Sequence, residues 1–163
     1  IVWHHAATGE VWVWLMNGAT RLSQTYVGTV ADTTYQIQQV ADFDGNGKVD
    51  LLWWNAVQGD VWIWLMDGAA LKPGGQVYVD RVDPGYVVKG VGDLDGDLKA
   101  DLVWHGAAGD VWVWLMNGTT RHAAPVVDQF SGQISRAVVG DQNFIGPARL
   151  LCGPTQYLRQ RRE

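Results

Sequence analysis

Gly9-Glu-Val-Trp-Val-Trp-Leu-Met-Asn-Gly18 recurs as Gly59-Asp-Val-Trp-Ile-Trp-Leu-Met-Asp-Gly68 and again as Gly109-Asp-Val-Trp-Val-Trp-Leu-Met-Asn-Gly118. The period is 50 residues at both steps. Self-similarity at such a spacing is the mark of a repeat architecture, in which each unit buries its apolar face against the next. The Val-Trp-Val-Trp-Leu-Met core is apolar at odd and even positions alike. A strand of that kind must be covered on both faces. The closing Asn-Gly or Asp-Gly step predicts a tight hairpin turn, because both residues tolerate positive φ. Trp3, Trp53 and Trp104 also correspond, each on the strand preceding the Gly-Glu/Asp turn.

Working outward, each unit predicts four short strands. In the middle copy these are Tyr35–Val40, Val49–Asn55, Val61–Met66 and Gln76–Val82. No window places apolar residues at helical spacing over ten or more positions, so no helix is predicted. A four-stranded antiparallel sheet with neighbours on both sides, repeated at this spacing, is a β-propeller blade. The predicted fold class is therefore all-β, with about three four-stranded antiparallel blades in a propeller that is partial or completed by oligomerisation. Residues 1–30 form an incomplete first blade with strands 2–4, residues 31–82 the second and residues 83–131 the third. Residues 132–163 begin a further blade and carry an atypical C-terminal tail.

The loops between the first two strands of the second and third units carry the chemistry. They are Asp42-Phe-Asp-Gly-Asn-Gly-Lys-Val-Asp50 and Asp93-Leu-Asp-Gly-Asp-Leu-Lys-Ala-Asp101. Both put oxygen side chains at loop positions 1, 3, 5 and 9. A tight loop turns such residues inward, and a hard divalent cation takes six to eight oxygens at roughly 2.3–2.6 Å. The candidate ligands at 42–50 are Asp42, Asp44, Asn46 and Asp50, with the carbonyl of Lys48. At 93–101 they are Asp93, Asp95, Asp97 and Asp101, with the carbonyl of Lys99. Asp, Asn and Gly are also ordinary turn residues. Two loops in register, each crowding three or four carboxylates into nine residues, favour a cation over a plain acidic turn. The expected cofactor is Ca2+ at two sites.

The acidic loop joined to the Trp-rich strand resembles the FG-GAP or VCBS repeat, the family of integrin-α-like propellers, over roughly residues 1–141. The resemblance implies calcium held by Asp42, Asp44, Asn46, Asp50, Asp93, Asp95, Asp97 and Asp101. Leu98 departs from the pattern, standing where the first loop has Gly47. A side chain there restricts the turn. Neither loop has a bidentate Glu at position 12, so neither is an EF-hand. A third loop position, Asp141–Arg149, has Ile145 at position 5 and Arg149 at position 9. A cation at position 9 repels a metal, so that site is expected to be empty. The tail Arg149–Glu163 carries four Arg against one Glu, and Cys152 where other copies have Trp53 and Trp104.

The whole chain has 163 residues, 47% of them hydrophobic, enough for a core of ordinary size. It carries 17 acidic and 12 basic residues, and seven of the acids sit in the two loops. The acidic balance is thus mostly candidate ligand, which also disfavours nucleic-acid binding. One cysteine excludes a disulfide scaffold. No apolar run approaches the ~18–20 residues needed to cross a bilayer. Because calcium is abundant outside cells, a secreted or cell-surface location is expected. The chain begins inside the second strand of a blade, which is expected of a piece of something longer. Head-to-tail pairing of two chains would give a homo-oligomer of about six blades.

All ten tryptophans lie in the repeat. Indole dominates cores, so most are assigned to blade-to-blade packing. Trp54 stands where the other copies have His4 and His105, and is the candidate for stacking on a sugar. Enzymatic constellations are weak. His4, His5, His105 and His122 have no zinc-ligand spacing, and Ser23, Ser131 and Ser135 lie in no nucleophile elbow. The expected function is a non-enzymatic calcium-binding propeller module serving adhesion or scaffolding. A lectin-like glycan-binding propeller is the alternative, and an accessory domain of a larger secreted enzyme the second.

Overall fold

The computed structural model describes residues 1–123 and 126–127. The third loop position at 141–149, the start of a further blade and the tail with Cys152 lie outside the described residues. Within them the chain forms three antiparallel sheets and no helix. Among the described residues the sheets do not close into a ring. The first contains β1 (Val2–His4), β2 (Glu10–Asn17) and β3 (Thr20–Thr29) in that order. The second is the full unit, β4 (Tyr35–Ala41), β5 (Asp50–Asn55), β6 (Asp60–Asp67) and β7 (Ala70–Arg81). The third contains β8 (Tyr86–Gly92), β9 (Asp101–Gly106), β10 (Val111–Asn117) and β11 (Thr120–Ala123), with β12 (Val126–Val127) also on β10.

One strand departs from the sequence expectation. Gln76–Val82 was predicted, but β7 begins at Ala70. Pro73, Gly74 and Gly75 look like chain punctuation, yet here they form a bulge inside a continuing strand. Trp64 pairs with Gln76 and Met66 with Leu71, so Lys72–Gly75 bow out between them. Bulges are where a strand tolerates Pro and Gly.

The two-faced strands explain the core. On β5, Leu51 and Trp53 pack with Val11 and Val13 of the first sheet. Leu52 and Trp54 point the other way and pack with Leu102, Trp104 and Trp114 of the third. This is the period-two alternation of a strand, buried on both sides by neighbouring sheets. Within each sheet one indole pair repeats: Trp3–Trp14, Trp53–Trp64 and Trp104–Trp114 have centroids 5.0, 5.0 and 5.1 Å apart, tilted by 51°, 47° and 53°. Such tilted pairs add to burial through their quadrupoles. Trp53 and Trp104 are 1% exposed, whereas Trp3 is 48% exposed. Among the described residues, no sheet lies against that face of the first one.

Trp54 requires a correction. It is 4% exposed and meets Trp104 edge-on, with ring centroids 6.1 Å apart at 71°. A side chain enclosed between two sheets offers no face to a sugar.

Candidate metal centre

Each acidic loop joins the first two strands of its sheet, β4 to β5 and β8 to β9, so the sheets carry the loops to one edge of the structure. The two loops touch: the amide of Ala100 donates to the carbonyl of Asp42 at 2.8 Å. Between them Phe43 is fully buried and packs with Ala100 and Leu102. Position 2 of the first loop is therefore a plug in the core between the second and third sheets.

Position 1 folds the loop around itself. Asp42 Oδ1 accepts from the amides of Gly45 and Asn46 at 2.8 and 3.1 Å, and Oδ2 from Gly47 at 2.6 Å. Asp93 does the same, with Oδ1 accepting from Gly96 and Asp97 at 2.6 and 3.1 Å and Oδ2 from Leu98 at 3.0 Å. This local bonding of a side chain to successive amides is what makes Asp a turn residue. At position 6, Gly47 has φ +78° and Leu98 φ +69°. The left-handed region costs an ordinary L-residue roughly 1–2 kcal/mol. Leu98 is also 79% exposed, so little packing offsets that strain.

Position 9 ties the loop to the sheet. Asp50 is fully buried, with Oδ2 accepting from the Phe43 amide at 2.9 Å and Oδ1 from the Met66 amide at 2.7 Å. Asp101 is its counterpart, also fully buried, bonded to the amides of Leu94 at 2.7 Å and Met116 at 2.8 Å. Burial pushes both carboxyls above the usual carboxylate range, and the two amide donors pull each of them back. Neighbouring acids, Asp44 beside Asp50 and Asp95 with Asp97 beside Asp101, push the same way as burial. A cation is the natural relief for such a cluster.

The structure brings Asp42, Asp44 and Asp50 together, and likewise Asp93, Asp95 and Asp101, with one carboxylate oxygen of each within 4.8 Å of the others in its trio. Each trio can hold a metal ion. Carboxylate oxygens keep lone pairs after accepting one amide bond. Asp97 lies off its trio, and its Oδ1 accepts from the amide of Lys99 at 2.9 Å. Asn46 Oδ1 accepts from the amide of Lys48 at 2.8 Å while its amide group donates to Asp44. The lysines at position 7 have a role the sequence reading missed. Lys48 pairs with Asp67, and Lys99 donates to Asn117 Oδ1 at 2.6 Å, so each loop is pinned to the hairpin turn of its own sheet. The lysine at position 7 and the acid or amide before the hairpin glycine were the available signal.

The donors are all hard oxygens, with neither thiolate nor imidazole in either trio. That set suits calcium or magnesium and disfavours softer transition metals. In the sequence comparison, the family model of the FG-GAP-like repeat matches residues 42–104. That stretch of the chain is similar to the FG-GAP-like repeat. FG-GAP-like repeats are β-propeller elements and often bind calcium. The matched span starts at the first ligand candidate and runs through the second acidic loop to Trp104. No curated protein and no solved structure matched the chain. Among the described residues, no helix is long and apolar enough to cross a membrane.

Proposed function

We propose that this chain is a calcium-stabilised segment of a β-propeller, acting as an adhesion or interaction scaffold of a secreted or cell-surface protein. Two ions bind, one per FG-GAP-like loop. Asp42, Asp44, Asn46 and Asp50 with the carbonyl of Lys48 hold the first, and Asp93, Asp95, Asp97 and Asp101 with the carbonyl of Lys99 hold the second. The observation that carries this reading is the pair of trios, each led by a fully buried aspartate. Calcium accepts an irregular shell of many oxygens, including backbone carbonyls, whereas magnesium demands a near-ideal octahedron. A nine-residue loop with flexible glycines suits the former. The module is a binding element and not an enzyme. A melting curve in calcium and in EDTA tests the proposal. At a hundredfold excess over Kd the ion adds about 2.7 kcal/mol per site, a rise of several degrees. Coincident curves would reject it.

A glycan-binding role is the second reading, favoured by a cleft of about 220 Å³ between the first and second sheets. The half-buried Tyr35 and Trp62 line it with the polar Thr29 and Gln76, over the buried Trp53 and Trp64. Binding there would replace the Trp54 platform with a groove between sheets. A glycan array read with and without calcium separates this reading from a purely structural one.

A further inference from the structure

The bulge in β7 has a consequence for the first loop. In the first sheet, Leu15 pairs with Ser23 and Met16 with Arg21, so one residue, Leu22, is skipped. In the third, Leu115 pairs with Ala123 and Met116 with Arg121, skipping His122. The second sheet skips four, Lys72-Pro73-Gly74-Gly75. Gly74 has φ +70°, and a Cβ on Gly75 would lie 2.8 Å from the carbonyl oxygen of Leu65 and 2.9 Å from that of Lys72. The turn therefore closes tightly on Lys72 and sets where its side chain leaves the sheet.

That side chain reaches the metal centre. Lys72 Nζ donates to Asp44 Oδ2, in an ion pair whose side chains are only 29% and 20% exposed. The bond to Asp44 holds the ammonium above its ordinary pKa, with Asp50 and Asp67 adding to the attraction. The other two copies place their cation one residue earlier, where it stacks on a tryptophan. Arg21 lies over Trp14 at 4.7 Å, and Arg121 lies over Trp114 at 4.8 Å while pairing with Asp80 at 2.9 Å. The second copy has Leu71 at that position. The loop at 42–50 thus has three carboxylates facing an extra ammonium. The loop at 93–101 also gathers three carboxylates, with Asp97 off the trio, and its lysine, Lys99, bonds Asn117 and lies 3.6 Å from Asp97 rather than from a trio member.

We propose that Lys72 is a tethered counter-ion of the first loop, which makes the two FG-GAP-like sites unequal: 93–101 binds calcium tightly, and 42–50 binds it weakly because the ion must displace this ammonium from Asp44. The proposal rests on the calcium reading above. A calorimetric calcium titration of the full chain tests it in wild type, Lys72→Met, Lys72→Arg, Asp44→Asn and Asp95→Asn. Wild type shows two affinities, the tighter lost in Asp95→Asn and the weaker in Asp44→Asn. Lys72→Met strengthens the weaker site on the order of tenfold, the scale of one charge facing a divalent ion in near-aqueous surroundings. The tighter site stays put, and Lys72→Arg behaves as wild type. An unchanged weaker site in Lys72→Met, or loss of the tighter site in Asp44→Asn, overturns the role of Lys72 while leaving calcium binding intact. No calcium heat in any of the five proteins overturns the calcium reading and this proposal with it.

Discussion

Replacing Asp50 by alanine should destabilise the protein even when no metal is present. Its two carboxylate oxygens accept the amides of Phe43 and Met66, at 2.9 and 2.7 Å, and both of those residues are buried. Alanine leaves two amides without acceptors in a place water does not reach. Each orphaned donor costs about 1–3 kcal/mol, giving roughly 2–6 kcal/mol in all. Removing a carboxylate whose pKa is raised by burial relieves its own desolvation, which favours the lower half, about 2–4 kcal/mol. That is a large part of the ~5–15 kcal/mol by which domains are stable. Urea denaturation in EDTA measures it as a lower midpoint at unchanged slope. Asp101→Ala should match through Leu94 and Met116. Asp44→Ala is the control: its partners are the side chains of Asn46 and Lys72, so it should lose the ion at 42–50 yet change the stability in EDTA by under about 1 kcal/mol. A wild-type midpoint for Asp50→Ala in EDTA would refute the reasoning, since the carboxylate would then act as a ligand alone.

Leu98→Gly should stabilise the chain by roughly 1 kcal/mol in thermal or urea melts, because it removes a positive-φ side chain that is almost fully exposed. A lower midpoint would contradict the strain assigned to that loop. Tyr86→Phe should lower the midpoint at neutral pH, with the deficit fading in acid. The hydroxyl of Tyr86, then the indole of Trp112, hold the Asp110 carboxyl below its ordinary value. A lowered carboxyl pKa contributes stability that is present above the unfolded value and lost as pH falls through the folded one. Tyr86 is itself pushed up, chiefly by its bond to Asp110, so its contribution is lost as pH rises through the tyrosine range. A wild-type–variant gap that persists unchanged through acid would reject the pairing.

Local pattern made some of this legible and long-range contact hid the rest. The strands around Trp53 and Trp62 could be read because apolar residues on both faces and a 50-residue period admit few architectures. The acidic loops could be read because their oxygens recur at fixed spacing. The start of β7 was missed because Pro73-Gly74-Gly75 looks the same in sequence whether it ends a strand or bulges one. Trp54 was misjudged because an extra aromatic shows no exposure until a third sheet is laid over it. The contact of Lys72 with Asp44 joins the β7 bulge to the first loop of the same sheet, that of Ala100 with Asp42 joins two neighbouring sheets, and no motif encodes either. Asp50 was read as a ligand from its spacing. Its bond to the Met66 amide appears only once the hairpin folds back over the loop.

The most direct measurement of the central claim is the number of calcium ions retained per chain at equilibrium, by dialysis against buffered calcium followed by elemental analysis. Wild type should retain two ions at saturation, Asp44→Asn and Asp95→Asn one each, and the double variant none. Retention of no calcium by the folded wild-type chain, or of two ions by the folded double variant, would contradict the account.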